Sequence, residues 1–217
     1  MDNAVTGSRL FSKACVHHQR EELEEAESLY REAVTCDPYL VDAWRNLGSM
    51  LRQLGRPEEG IVCQEKAVAL RPRDPGLLGN LGNVLRDLGR LDEARRTFEK
   101  AREIAPNQIG PNLGLAITLN ALKHHEHLIR ELEPFVEKID FEKDKNQASE
   151  LILEIGNAYH CLGNETQALI LWEKARIHSQ GEKQLAMVLN TAQVLCNKDK
   201  YKEAESLLRP YLKNFPI

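Results

Sequence analysis

The strongest constraint on this 217-residue chain is a repeat of 34 residues. Asn46-Leu47-Gly48 returns as Asn80-Leu81-Gly82, Leu54-Gly55-Arg56 returns as Leu88-Gly89-Arg90, and Pro38, Pro72 and Pro106 keep the same spacing. Three unrelated residue types mark one period, so the chain reads as a tandem array. One such unit buries too little apolar surface to fold alone and is stable only when stacked on its neighbours. Within each copy the apolar residues recur three and four positions apart, as on one face of a helix, and nothing reads as a strand. Each copy therefore reads as a pair of helices. Gly55, Gly89 and Gly163 are placed to end the first helix in a left-handed conformation, and Pro38, Pro72, Pro106 and Pro216 are placed to stop the second.

The array accounts for the whole chain as one all-α solenoid of antiparallel helix pairs over 1–217, with repeats near 7–40, 41–74, 75–108, 109–148, 149–184 and 185–217. The fourth is degenerate: Leu115, Ala116, Leu119 and Leu132 are in register, but it has neither the glycine nor the terminal proline. It is also about six residues too long, and the charged run from Asp140 to Asn146 is expected to hold the excess as an extended turn. In the second copy Gly60 and Gln64 replace the alanine and aromatic found as Ala26 and Tyr30, Ala94 and Phe98, or Ala168 and Trp172. Its later helix is expected to be the weaker one.

These residues resemble the tetratricopeptide repeat, whose first helix carries Trp-x2-Leu-Gly-x2-Tyr and whose second carries Ala-x3-Phe and a later Pro. Trp44, Leu47, Gly48, Leu51, Ala67 and Pro72 fit one copy, and Leu78, Leu81, Gly82, Leu85, Ala94, Phe98, Ala101 and Pro106 fit the next almost completely. Leu10, Ala14, Ala26, Tyr30, Ala33 and Pro38 supply an earlier copy, and Ile152, Ile155, Gly156, Tyr159, Ala168, Trp172 and Ala175 a later one. The resemblance implies a right-handed superhelix of about six repeats in which small residues let the paired helices approach and large ones fill the space between repeats.

The resemblance also implies where function sits. First helices line the concave surface, and repeat positions 2, 5, 6, 9, 12 and 13 point inward, which selects Arg45, Asn46, Ser49 and Arg52, then Asn80, Asn83, Arg86 and Asp87, then Asn157 and Asn190. Asparagine is a mediocre helix former, so its recurrence in mid-helix asks for a reason. A carboxamide offers donor and acceptor together, so Asn46, Asn80 and Asn190 can hold a peptide backbone without reading its side chains; the competing reason is that they bridge neighbouring repeats. The Asn-Leu-Gly phrasing is similar to the repeats of O-linked N-acetylglucosamine transferases and their bacterial relatives. The family's carboxylate clamp for chaperone tails is not retained: its positions hold Phe11, Cys15, Asn46, Gly76 and Asn80.

The expected activity is therefore non-catalytic: a scaffold that binds an extended segment of a protein or peptide partner and needs no cofactor. No phosphate-binding glycine loop, nucleophile elbow or zinc-protease motif occurs. The cluster Lys123-His124-His125-Glu126-His127 offers His124 and His127 at helical spacing, but no third firm metal ligand, and reads as a solvated turn. A net charge of −4 argues against nucleic acid. No apolar run is long enough for a membrane span, and the N-terminus lacks a secretory core, so a cytoplasmic location is expected. Five widely spaced cysteines are expected to be reduced and mostly buried. Phe215 and Ile217 in the last residues Asn214 to Ile217 read as an uncapped end. The array is therefore expected either to self-associate there or to continue as the substrate-recruiting arm of a larger glycosyl-, sulfo- or methyltransferase.

Overall fold

A computed structural model of the chain describes residues 3–139 and 141–212. Among the described residues there are twelve helices and no strand. They pair as α1 (Asn3–Gln19) with α2 (Leu23–Cys36), α3 (Val41–Gln53) with α4 (Pro57–Leu70), and α5 (Pro75–Asp87) with α6 (Leu91–Ile104). The later pairs are α7 (Ile109–Ala121) with α8 (His125–Val136), α9 (Phe141–Cys161) with α10 (Glu165–Ile177), and α11 (Gly181–Asn197) with α12 (Tyr201–Leu212). The chain divides into two compact units of three pairs each, Met1–Pro106 and Asn107–Ile217.

One backbone device closes all six hairpins. A left-handed residue follows each first helix: Glu21, Gly55, Gly89, Lys123, Gly163 and Asp199, with φ between 57° and 77°. Just after it an amide donates back across the turn to the first helix, as from Arg56 to the Leu51 carbonyl (2.9 Å), His124 to Leu119 (2.8 Å) and Lys200 to Leu195 (2.9 Å). The glycine signal in the sequence revealed three of these turns. In the other three the hairpin imposes the same conformation on a side-chain-bearing residue, at a cost of roughly 1 kcal/mol each.

Between paired helices a glycine faces a large side chain. A Cβ on Gly82 would lie 2.7 Å from the Phe98 ring, and one on Gly156 would lie 2.7 Å from Trp172. In the second copy both helices are thinned. A Cβ on Gly60 would meet the Gly48 carbonyl at 2.9 Å, and fully buried Gln64 uses the room to donate to the Arg45 carbonyl (3.1 Å) and the Ser49 hydroxyl (3.2 Å). Tyr30, Phe98 and Trp172 are all buried. Trp44 is half-buried and anchors its indole N–H on the Pro38 carbonyl at 2.9 Å.

Two expectations need correction. Residues 141–146 are not an extended turn: they are helical apart from a kink at Asp144 (φ −131°, ψ 40°), which separates the first residues of α9 from the longer helix that follows. The cysteines are not mostly buried: Cys63 is buried, Cys15, Cys36 and Cys196 are half-buried, and Cys161 is exposed because it ends α9 on its solvent side. Burial pushes the Cys63 thiol up to about 11. The prolines behave as expected, Pro38, Pro72 and Pro106 each standing just past the end of α2, α4 or α6. Asp140, Pro216 and the expected uncapped end at Asn214 to Ile217 lie outside the described residues.

Candidate functional site

In the first unit the residues selected from sequence lie on the sides of α3 and α5 that the core leaves open. Val41, Ala43, Leu47, Gly48, Met50 and Leu51 of α3 are buried, whereas Asn46, Ser49 and Arg52 are half-buried and Arg45 is exposed. On α5, Asn80, Asn83 and Arg86 are likewise half-buried and Asp87 is exposed. The two helices pack against each other, and Arg52 is ion-paired with Asp87 across them. The Arg52–Asp87 pair thus links the α3 residues to the α5 residues within one unit. Asn157 and Asn190 belong to the second unit, on α9 and α11.

Three of the five asparagines already have partners. The Asn46 amide donates to the Tyr30 hydroxyl (3.4 Å) and towards the Cys15 sulfur (3.8 Å), while its oxygen accepts from Arg45 (3.4 Å). Tyr30 is held neutral by burial and by its own hydrogen bond to Cys15, which push its hydroxyl up to about 12. In the second unit the Asn157 oxygen accepts from the Trp172 indole N–H (3.2 Å) and from Asn190 (3.3 Å). These three follow the bridging alternative, tying one repeat to another or one helix to its mate.

Asn80 and Asn83 are different. Both are half-buried, and among the described residues neither side chain makes a hydrogen bond within the protein. Across from Gly82, next to Asn83 in the chain, the second helix presents a phenylalanine, which has no group to offer: Phe98 packs under Gly82, with the Arg86 guanidinium 6.0 Å from its ring centre. Two half-buried carboxamides on one helix, three residues apart, are therefore left without a partner within the protein. Ser49 is occupied by Gln64 (3.2 Å), and Arg45 is also paired with Asp42 at 3.0 Å.

Sequence reasoning missed Asn120 on α7, which donates to the Glu154 carbonyl (2.9 Å) and carboxylate (2.6 Å) of α9. A polar residue near the end of an otherwise uncharged helix was the available signal. It also missed Tyr159, whose hydroxyl donates to Glu133 at 2.7 Å and is pushed up to about 12 by burial and that carboxylate. Among the described residues no group of three or more His, Cys, Asp or Glu is placed to hold a metal ion, and no helix is long and apolar enough to cross a membrane.

Residues 41–74 and 75–131 each match a family model of the tetratricopeptide repeat. Residues 41–131 are tetratricopeptide repeats. Solved structures of proteins with such repeats share the fold of this chain. PilW, described as a widely conserved type IV pilus biogenesis factor, superposes with a TM-score of 0.77 at 18% identity, covering 97% of this chain and 94% of PilW. YrrB, a tetratricopeptide protein with an unusual peptide-binding site, gives 0.63 at 20% identity, covering 82% and 89% of the two chains. The first tetratricopeptide domain of Spaghetti, bound to the HSP90 peptide SRMEEVD, gives 0.53 at 23% identity, covering 55% of this chain and 94% of that one. A comparison with curated sequences finds no match. Repeats of this family build protein-interaction scaffolds, because stacked hairpins expose long continuous surfaces made from successive first helices.

Proposed function

We propose that the α3–α5 face of the first unit binds an extended segment of another polypeptide, and that Asn80 and Asn83 hold its backbone. The observation carrying this reading is the pair of half-buried carboxamides without protein partners. A partly desolvated amide gains by finding a partner, and a peptide backbone supplies one N–H and one C=O per residue, matching what a carboxamide offers. Arg45, Asn46, Ser49, Arg52, Arg86 and Asp87 border the site, but their own contacts make them walls rather than primary ligands. The peptide-binding proteins YrrB and Spaghetti, which share the fold, support a peptide as the class of ligand. In this reading the chain binds and does not catalyse.

The test is a peptide selected from a displayed random library against the full chain, with affinity measured by calorimetry. Asn80→Ala and Asn83→Ala should each weaken binding by about three- to tenfold, the worth of one net hydrogen bond, with far-UV circular dichroism unchanged. Asn157→Ala should leave the affinity as it was. Equal affinities for wild type and the Asn80→Ala, Asn83→Ala double variant would remove the reading.

A further inference from the structure

The six hairpin turns share a backbone shape but not a charge pattern. In three copies the residue just ahead of the second helix is a cation paired with a carboxylate three positions later: Arg56 with Glu59 (2.6 Å), Arg90 with Glu93 (2.7 Å) and Lys200 with Glu203 (3.1 Å). In the fifth copy Asn164 fills the role by accepting from the Gln167 amide (3.3 Å). In the first the leading residue is itself an acid, Glu22, paired with His17 at 2.6 Å. The fourth copy breaks the rule: the same two places hold His124 and His127.

The turn has thus lost its internal anion while gaining cations. Lys123 occupies the left-handed position (φ 60°) where glycine stands in three other copies. Lys123, His124, His127 and Arg130 line one open recess of about 400 Å³, with Glu126 as its acid and Leu162 of the α9–α10 turn on its far side. Among the described residues the side chains of Lys123, His124 and His127 have no hydrogen-bond or ion-pair partner. His125 is turned to Asn120 (3.1 Å), and Arg130 makes only a 3.5 Å contact with Glu131 while remaining largely exposed. Two basic side chains and two imidazoles without partners therefore line a place where three of the sibling turns keep a paired carboxylate.

We propose that this recess binds a phosphate group, free or as a monoester, whose oxygens take the place of the missing carboxylate. A phosphate monoester carries about −1.5 to −2 charge near neutral pH and has three acceptor oxygens. That suits a guanidinium, an ammonium and two imidazole N–H groups better than a single carboxylate would. The group would come either from free phosphate or from a phosphorylated side chain of a bound polypeptide. This site lies in the second unit and is independent of the proposed Asn80–Asn83 face.

The test follows the histidine ring signals of the full chain by NMR at pH 6.5. The additions are inorganic phosphate, a phosphoserine peptide, the same peptide without phosphate, and sodium chloride at matched ionic strength. Saturable shifts of His124 and His127 are expected with the two phosphate-bearing probes and not with the other two. His127→Glu, which installs the carboxylate of the sibling turns, should weaken phosphate binding at least tenfold, and Lys123→Gly, which restores the usual turn residue, at least threefold. Helical circular dichroism should be retained in both. A phosphopeptide that binds at least tenfold tighter than inorganic phosphate identifies a protein source, and equal affinities identify free phosphate. Shifts that track ionic strength alone, or binding unchanged in both variants, would overturn the proposal.

Discussion

Asn83 and Asn157 stand at the same place in two repeats, yet one is available and the other is not. The difference lies in the second helix behind each. Beside Asn157 the large side chain is Trp172, whose indole N–H reaches the carboxamide at 3.2 Å, and Asn190 completes the arrangement at 3.3 Å. Beside Asn83 it is Phe98, equally buried but with nothing to donate. Asn46 is held differently, by the hydroxyl of Tyr30 from the preceding repeat at 3.4 Å. At this repeat position the tip of the buried aromatic separates an asparagine that stiffens its hairpin from one without a protein partner. In the second unit these amides are structural; on α5 they are free.

The comparison can be broken most forcefully at the aromatic. Trp172→Ala should lower stability by about 3–5 kcal/mol in chemical denaturation, because it opens a cavity under Gly156 and strips Asn157 of its donor. A smaller loss would mean that the pair is loosely packed. Next in size, Asn157→Ala should cost about 1–3 kcal/mol by leaving the buried indole N–H unmade, whereas Asn83→Ala at the matching place should stay within about 0.5 kcal/mol. Equal costs at the two positions would erase the distinction between structural and available asparagines. Glu21→Gly should raise the midpoint of unfolding by relieving a left-handed residue, a gain of about 1 kcal/mol; no gain would show that the turn conformation carries no strain.

The smallest effect concerns the outer layer of the first unit, where Arg56 pairs with Glu27 (2.7 Å) and Glu59 (2.6 Å), and Arg31 with the same two acids (2.8 and 2.7 Å). Burial pushes the Glu27 carboxyl up, but hydrogen bonds from Arg56 and Arg31 outweigh it and hold the group below its ordinary value of 4.5. The same two arginines, Arg56 first, lower Glu59. A carboxyl depressed in the folded state adds stability that is present above the unfolded value and is lost as pH falls through the folded one. Stability should therefore decline on acidification below about pH 4.5 in the wild type and decline less steeply in Arg56→Ala. Parallel profiles, read as denaturation midpoints across pH 3 to 7, would show that these exposed pairs contribute nothing, as many such pairs do.

Much of the fold was legible because a period of 34 is repeated by several residue types at once. It located the helix pairs, the glycines that thin them at Gly48, Gly82 and Gly156, and the prolines that follow the second helices. It was silent at Glu21, Lys123 and Asp199, where no glycine announces the left-handed turn. There the hydrogen bonds of the hairpin, not local preference, select the conformation. It misread residues 141–146, because a charged, polar run looks like a loop when its helical neighbours cannot be seen; in the structure that run starts α9, with a break at Asp144. The departure at Gly60 and Gln64 was visible, but not its resolution, in which a long amide reaches through the gap between two glycine-lined helices to Arg45 and Ser49.

For the candidate site, the resemblance to the repeat family supplied the expected inward positions of the first helices, and the sequence determined which residues occupy them. It also determined that several of them are asparagines. Which asparagines remain free was decided only by tertiary structure. That outcome depends on whether a donor from another helix, such as Trp172 or Tyr30, comes within hydrogen-bonding distance. Hydrogen bonds are made between atoms a few ångströms apart in space, and a repeat pattern records only how far apart they lie along the chain.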